Sequence, residues 1–269
     1  MSARLSSLTE PTPGLGLEIV RALCRSGTPY EILLAARNFP KGEAAVETLK
    51  QEFPSGPSSV SAVQLDISDD DSITNAYQTI SAKYDRLDVL INNAGMQLAA
   101  DDTTRTRKAW NMTLDVNVTG THIVTETFVP LLLEAASPRI IFITSGTSSL
   151  VETMESNHFI NKSPPAGWPK DLNPSLVPYR ASKTALNMVV REWTKILRED
   201  GVKVFAVSPG FLATGLAGGV FGMMGAAHPS VGGELVKDVV DGKRDSDQGM
   251  VVKTNGVQPW YWRQCSYTA

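Results

Sequence analysis

Short runs of apolar, largely β-branched residues alternate with helical patterns along the chain, and this alternation constrains the fold more than any other feature. The runs are YEILLAARN (30–38), SSVSAVQLD (58–66), LDVLINNAG (87–95), RIIFITSG (139–146), VKVFAVSPG (202–210) and, more weakly, GMVVKTNG (249–256). Continuous apolar runs indicate strands that are buried on both faces. Helical patterns lie between them, at 16–27, 42–53, 70–84, 106–136 and 179–200. The sequence therefore predicts one α/β domain over residues 1–269, a doubly wound, Rossmann-type parallel sheet with helices on both faces.

Three segments depart from this pattern. The first strand of such a sheet is central and should be strongly apolar, yet ARLSSLTE (3–10) has only Ala3, Leu5 and Leu8 among polar residues. Residues 147–178, rich in proline, and residues 215–233, rich in glycine, show no regular pattern. Long segments of this kind are usually functional loops. We therefore expect an insert at 147–178 and a substrate loop or lid at 215–233.

Charge and cysteine content narrow the class of partner. The formal net charge is −3, and Lys and Arg are dispersed along the chain, so no basic surface for nucleic acid or an anionic membrane is predicted. Two cysteines form neither a disulfide framework nor a zinc site. No apolar run has the length of a signal peptide or a transmembrane helix. We expect a cytoplasmic protein, without a metal ion, whose partner is a small molecule.

A tyrosine and a lysine stand four apart at the start of the last predicted helix. Tyr179 and Lys183 therefore share one helix face, and Pro178 is placed to open that helix. Polar or glycine-containing signals also follow three predicted strands, at the sheet edge where ligands bind in such folds. They are Asn92-Asn93-Ala94-Gly95, Thr144-Ser145 and Ser208-Pro209-Gly210.

Together these motifs resemble the short-chain dehydrogenase/reductase family, in its compact single-domain form, from about Gly14 to Pro259. The stretches PPAGWP, PGFLATGL and GVQPW are most similar to fungal members. The resemblance implies a catalytic tetrad of Asn117, Ser145, Tyr179 and Lys183. It also implies cofactor contacts from Asp66 beside the adenine, from Asn93 and Gly95 in the turn that supports it, and from Pro209, Gly210 and Thr214 near the nicotinamide carboxamide. We also expect a homodimer or homotetramer.

The chemistry of carbonyl reduction assigns roles to these side chains. Hydride transfer to a ketone leaves an alkoxide, so the site needs a proton donor. A tyrosine can serve if its pKa, ordinarily about 10, is lowered. A nearby cation favours the phenolate, which makes Tyr179 the general acid/base and Lys183 its tuner and a holder of the cofactor ribose. Ser145 would donate to the carbonyl oxygen. Ser148 and Ser149 are alternatives, but Ser145 ends the strand.

Asn117 lies inside a predicted helix. We expect it to hold a water molecule that passes protons to Lys183. The alternative is a polar side chain that bonds only to its own helix.

Residues after the first and second strands bear on the cofactor. An acidic residue after the second strand prefers NAD, whereas an Arg accommodates the 2′-phosphate of NADP. Ala36 occupies that place and Arg37 follows, which favours NADPH. The loop TEPTPGLG (9–16) keeps Gly14 and Gly16 for a phosphate but has Glu10 where the first glycine belongs. Repulsion between this carboxylate and the pyrophosphate predicts weakened, not abolished, binding.

The leading hypothesis is an NADPH-dependent oxidoreductase that reduces a small carbonyl compound, or oxidises the alcohol, by hydride transfer. The alternative is a divergent scaffold of the same family, with weakened or lost cofactor binding, that acts as a non-redox enzyme or a binding protein. An incorrectly assigned N-terminus would also account for Glu10 and for the polar first strand.

Overall fold

The computed structural model describes residues 3–8, 14–98, 106–154, 159–170 and 176–259. In these residues the strands are β1 (Ala3–Leu8), β2 (Glu31–Ala36), β3 (Ser59–Gln64), β4 (Val89–Asn92), β5 (Arg139–Ile143), β6 (Lys203–Val207), β7 (Val251–Lys253) and β8 (Gly256–Gln258). The helices are α1 (Leu15–Arg25), α2 (Phe39–Glu52), α3 (Asp70–Ser81), α4 (Arg107–Leu114), α5 (Thr121–Leu133), α6 (Leu176–Ile196) and α7 (Ser230–Val240). No described helix is long and apolar enough to cross a membrane.

The strands form one sheet in the order β3-β2-β1-β4-β5-β6-β7-β8. All neighbours are parallel except β7 and β8, which form an antiparallel hairpin at one edge. The predicted α/β fold with a parallel, doubly wound sheet is thus confirmed. Strand order reverses between β1 and β4, and ligands bind in such sheets at the carboxyl ends of the strands near this reversal.

Strand β1 is central despite its polar sequence. It pairs with β2 along its whole length, from Ala3 opposite Glu31 to Leu8 opposite Ala36, and with β4 on its other side. Backbone hydrogen bonds do not depend on side-chain polarity, so two apolar neighbours can hold a polar strand between them. Glu10 lies outside the described residues, and its predicted effect on phosphate binding stays a prediction.

Each face of the sheet carries its own apolar core. Successive side chains of a strand point to opposite faces, and β2 shows this directly. Leu33 packs in one core with Phe128 of α5, whereas Leu34 packs in the other with Ile19 of α1 and Val236 of α7. Helices α3, α5 and α6 cover the first face, and α1, α2 and α7 cover the second.

The single helix predicted over 106–136 is interrupted. A π-helical turn, Asp115–Gly120, separates α4 from α5. Gly120 packs directly against the backbone after β3, because a Cβ atom there would overlap the carbonyl oxygen of Ile67. Turns of this kind inside helices often lie at functional sites. Here it contains Asn117, which is completely buried.

Two segments expected to be irregular contain helix. α7 begins at Ser230, inside the segment 215–233, and residues 216–224 form short 3₁₀ turns. A Cβ atom at Gly233 would lie 2.5 Å from the carbonyl oxygen of Glu18 in α1, so this glycine permits close packing of two helices. α6 likewise begins at Leu176, which places the end of the segment 147–178 in a helix.

We predict that Gly120→Ala destabilises the protein by about 2–3 kcal/mol, because the added methyl group must displace the backbone at Ile67. The free energy of unfolding in urea measures this effect. Gly27→Ala is the control, since a Cβ atom at Gly27 meets nothing within 4 Å. Equal stability of the two variants would contradict the close contact between the π-helical turn and the backbone at Ile67, after β3.

Candidate active site

Helix α6 brings Tyr179 and Lys183 into the interior at the carboxyl ends of the strands. The helix begins two residues before Pro178, which therefore lies in its first turn and is not its first residue. Tyr179 is 9% exposed and Lys183 is 3% exposed. The Lys183 Nζ donates to the carbonyl oxygen of Ile143, the last residue of β5, at 2.9 Å. The predicted pairing of the two side chains on one helix face is therefore present and buried.

Ser145 lies two residues after β5, where its hydroxyl contacts Thr147 Oγ1 at 3.0 Å and is close enough to Tyr179 to lower the pKa of that side chain. It caps the short 3₁₀ turn Gly146–Ser148, where the Thr147 backbone N–H donates to Ser145 Oγ at 3.3 Å. The structure thus brings together Ser145, Tyr179 and Lys183.

The two alternative serines make other contacts. Ser148 Oγ donates to the carbonyl oxygen of Ser145 at 2.6 Å and accepts from Asn187 Nδ2 at 2.9 Å. Ser149 Oγ donates to the carbonyl oxygen of Pro259 at 2.7 Å. Of the three hydroxyl groups, the one that affects the pKa of Tyr179 is that of Ser145.

Burial sets the protonation of both ionisable groups. Desolvation raises the pKa of the Tyr179 hydroxyl above its ordinary value, and the hydrogen bond with Ser145 opposes this shift. Desolvation also lowers the pKa of the Lys183 ammonium to about 8. The expected lowering of the tyrosine pKa by Lys183 is not among the causes of these shifts.

Asn117 connects the π-helical turn to the segment after β4 and to α6. Its Oδ1 accepts from the Met96 backbone N–H at 2.7 Å, and its Nδ2 donates to the Met96 carbonyl at 2.9 Å. Nδ2 also donates to Ser182 Oγ at 2.9 Å. The side chain bonds to other elements and not to its own helix. The proposed water molecule stays a prediction.

The segment after β4 approaches Lys183 closely. A Cβ atom at Gly95 would lie 3.1 Å from Lys183 Nζ and 3.4 Å from Asn117 Oδ1. The half-buried Asn93 donates its backbone N–H to the Ile91 carbonyl at 3.1 Å. A side chain at position 95 would fill the space beside the ammonium, so glycine keeps that space open.

The two described glycines of the first loop lie at the start of α1. Gly14 is the N-cap residue, in an extended conformation, and Gly16 is buried in the first turn. The helix N-terminus presents unpaired backbone N–H groups and a partial positive charge, which suit a phosphate.

Arg37 and Asp66 follow the neighbouring strands β2 and β3. Arg37 is exposed, and its carbonyl oxygen accepts from Gln64 Nε2 at 2.7 Å. Asp66 is half-buried, and its carboxylate accepts from the backbone N–H and the hydroxyl of Ser68, at 3.0 and 2.7 Å. Asp66 therefore stabilises its own turn, whatever it contributes to a ligand.

Pro209, Gly210 and Thr214 follow β6. Gly210 has a φ of +97°, which favours glycine. Thr214 Oγ1 accepts from the Leu216 N–H at 3.4 Å, where the 3₁₀ segment begins. The Ala217 N–H donates to the carbonyl of Gln97, after β4, at 3.1 Å. The predicted lid segment therefore contacts the segment that follows β4.

Arg180 was not identified from the sequence, although it follows Tyr179 directly. Its Nε donates to the carbonyl of Thr147 at 2.9 Å, and its Nη2 donates to Asn161 Oδ1 at 2.9 Å. It joins α6 to the turn that carries Ser145 and to the insert. The described residues contain no group of three His, Cys, Asp or Glu side chains suited to a metal ion.

Known proteins with similar sequences belong to one family. The family model described as short chain dehydrogenase matches residues 8–159 and 158–224. The chain is 47% identical over 257 residues to the short-chain dehydrogenase/reductase tropE of Talaromyces stipitatus, covering 94% of this chain and 96% of that protein. It is 42% identical over 268 residues to the short-chain dehydrogenase/reductase eupG of Phoma sp., with the same coverage. The predicted resemblance to fungal members is confirmed.

A solved structure is also similar over nearly the whole chain. The NADPH-bound carbonyl reductase from chicken fatty liver superposes with a TM-score of 0.76 at 25% identity. The match covers 97% of this chain and all of that one.

We predict that Lys183→Met stabilises the protein at neutral pH. The pKa is lowered from 10.5 to about 8, so the folded state binds fewer protons than the unfolded state and wild-type stability rises with pH between these values. The shift corresponds to about 3 kcal/mol, and loss of the hydrogen bond to Ile143 removes about 1 kcal/mol of the gain. Urea unfolding at pH 7 should therefore show a gain of about 2 kcal/mol.

The gain should disappear above pH 10.5, where the lysine is neutral in both states. Lys195→Met is the control, because this exposed lysine lies on the same helix. A gain of the same size at every pH would contradict the desolvation of Lys183.

Proposed function

The chain belongs to the short-chain dehydrogenase/reductase family, and on this basis we propose that it is an NADPH-dependent oxidoreductase. It reduces a small carbonyl compound, or oxidises the corresponding alcohol, by hydride transfer. The observation that carries the proposal is the grouping of the half-buried Ser145 with the buried Tyr179 and Lys183 at the end of β5. A hydroxyl donor, a proton donor and a cation in one place are what a reacting carbonyl oxygen requires.

The residues around this group fit a dinucleotide. Lys183 carries a buried ammonium, and its hydrogen bond within the described residues goes to a backbone carbonyl and not to a carboxylate. Gly95 leaves the space beside it open. Gly14 lies at the N-terminus of α1. Hydroxyl groups of a ribose suit the ammonium, and a pyrophosphate suits the helix N-terminus. Lys183, Gly95 and Gly14 would therefore hold the cofactor.

Residues of the chain would transfer the proton to the substrate oxygen. When bound, the nicotinamide supplies the hydride. Tyr179 donates its phenolic proton to the substrate oxygen as the carbonyl becomes an alcohol, and Ser145 donates a hydrogen bond to the same oxygen. The raised pKa of Tyr179 keeps it protonated at neutral pH, which suits the role of acid in reduction. Within the described residues Lys183 does not lower the pKa of Tyr179, so we expect its ammonium to favour the remaining phenolate only in the enzyme with cofactor bound, until solvent returns a proton.

Arg37 supports the choice of NADPH over NADH. Its side chain is exposed directly after β2, where a 2′-phosphate would lie, and Ala36 provides no carboxylate for a 2′-hydroxyl. The carbonyl reductase from chicken fatty liver, which is similar in structure, is an NADPH complex.

A homodimer or homotetramer is part of the same proposal. Helices α4 and α6 expose apolar side chains that subunit contact would cover. They are Met112, Val177, Met188 and Ile196, each more than 40% exposed.

We predict that Tyr179→Phe reduces carbonyl turnover by about 10²–10⁴-fold, because only the proton donor is lost. NADPH affinity should stay within a few-fold, since the ring still packs. Turnover is followed by NADPH oxidation with benzaldehyde, menadione and ethyl acetoacetate as probes, and affinity by nicotinamide fluorescence. Tyr84→Phe is the control, because its hydroxyl bonds to Glu31 and not to the site. Full turnover in Tyr179→Phe would exclude this mechanism.

Arg37→Ala should weaken NADPH binding by roughly 10- to 100-fold and leave NADH binding almost unchanged, because a charge-assisted contact contributes about 1.5–3 kcal/mol. Fluorescence titration with both cofactors measures the difference. Arg86→Ala removes the same charge before β4, where its partner is Asp88, and should affect neither cofactor. Equal losses for NADPH and NADH in Arg37→Ala would show that Arg37 has only a structural role.

A further inference from the structure

The C-terminal hairpin contacts the turn that carries Ser145. Gln258 ends β8 and is 1% exposed. Its Nε2 donates to the carbonyl oxygen of Gly146 at 2.7 Å and to Glu152 Oε2 at 2.6 Å. Gly146 directly follows Ser145, so one buried amide group binds both ends of the segment 146–152.

The two acceptors fix the orientation of this amide. Both are oxygen atoms, so the reversed orientation would place Oε1 against them. In the orientation present, Gln258 Oε1 is buried and has no hydrogen-bond partner among the described residues. An unsatisfied buried acceptor costs about 1–3 kcal/mol, so the contacts of Nε2 are made against a penalty.

Two further contacts attach the same segment to the hairpin. Glu152 Oε1 accepts from Lys253 Nζ of β7 at 2.7 Å. Ser149 Oγ donates to the Pro259 carbonyl at 2.7 Å and accepts from the Glu152 N–H at 3.1 Å. The segment is thus attached to the hairpin at three points, of which the Gln258 contact lies nearest to Ser145.

The opposite side of the turn is attached to α6. Asn187 donates to Ser148 Oγ, which in turn donates to the carbonyl of Ser145. The backbone of residues 145 and 146 is therefore held between α6 and the hairpin. Gly146 has no side chain of its own to anchor the turn.

We propose that Gln258 is a positioning residue for Ser145, and this rests on the proposed function. A hydroxyl that stabilises developing charge on a carbonyl oxygen must be held to within about 0.5 Å of its productive position. Gln258 supplies this restraint through the carbonyl of Gly146, without contact to substrate or cofactor.

The test is a double-mutant cycle between Gln258→Leu and Ser145→Ala. Leucine has nearly the same size but cannot donate, so Ser145 is left less well held. We expect Gln258→Leu to lower kcat by roughly 10- to 100-fold, with the KM for NADPH within about twofold of wild type. In the Ser145→Ala background the same change should lower kcat by less than about twofold, because no hydroxyl remains to be misplaced.

Lys253→Met is the matched control. It removes the other contact between the hairpin and Glu152 but leaves the contact with Gly146, so kcat should stay within about twofold of wild type. An equal loss of kcat from Gln258→Leu in both backgrounds would overturn the proposal, as would unchanged kcat in an active enzyme.

Hydrogen exchange tests the positioning without turnover. The N–H groups of Thr147 and Ser148 donate to Ser145, and that of Ser149 donates to Gly146. They should exchange faster in Gln258→Leu and not in Lys253→Met, while β4 and β5 stay protected. Unchanged exchange would overturn the proposal for Gln258. If wild type reduced none of the three carbonyl probes, the proposed function would fail. The exchange result would still show whether Gln258 restrains the turn that carries Ser145.

Discussion

Burial of the Lys183 ammonium is the constraint on which the candidate site depends. A desolvated cation is costly, and here the compensation within the described residues is a single backbone carbonyl at the end of β5. The arrangement is therefore unfavourable for stability alone and favourable for a ligand that brings hydroxyl groups to the ammonium. A Cβ atom at Gly95 would lie 3.1 Å from the same nitrogen, so the glycine leaves space beside it. A ligand that bound the ammonium in this site would therefore stabilise the folded protein.

Close backbone approaches allow this site to form. Gly120 lets the π-helical turn contact the backbone after β3, which places Asn117 between Met96 and Ser182. Gly233 lets α7 contact α1, whose N-terminus carries Gly14. In both cases a missing side chain at one position sets the location of polar groups several residues away.

The sequence predicted the structural elements and site residues that depend on local patterns, and it missed those that depend on contacts between distant parts of the chain. Continuous apolar runs identified the parallel strands, and the spacing of Tyr179 and Lys183 identified a shared helix face that the structure contains. The pattern of 106–136 gave no sign of the π-helical turn, whose close contact is with Ile67, far away in sequence. The first turn of α7 lies in the segment 215–233, for which a loop was predicted because glycine has low helix propensity, although Gly232 and Gly233 serve helix packing. Gln258 lies in the stretch GVQPW, which indicated fungal relatives but no contact with the turn after β5, because its two acceptors lie more than 100 residues earlier.

The position of the antiparallel hairpin β7–β8 at the end of the chain affects the order in which contacts around Ser145 can form during synthesis. A chain is made from its N-terminus, and β7 and β8 are the last strands of the sheet to leave the ribosome. Before they emerge, the turn after β5 lacks the contacts from Gln258, Lys253 and Pro259. The restraint on the turn that carries Ser145 is therefore completed only at the end of synthesis, after the strands that flank this turn have been made.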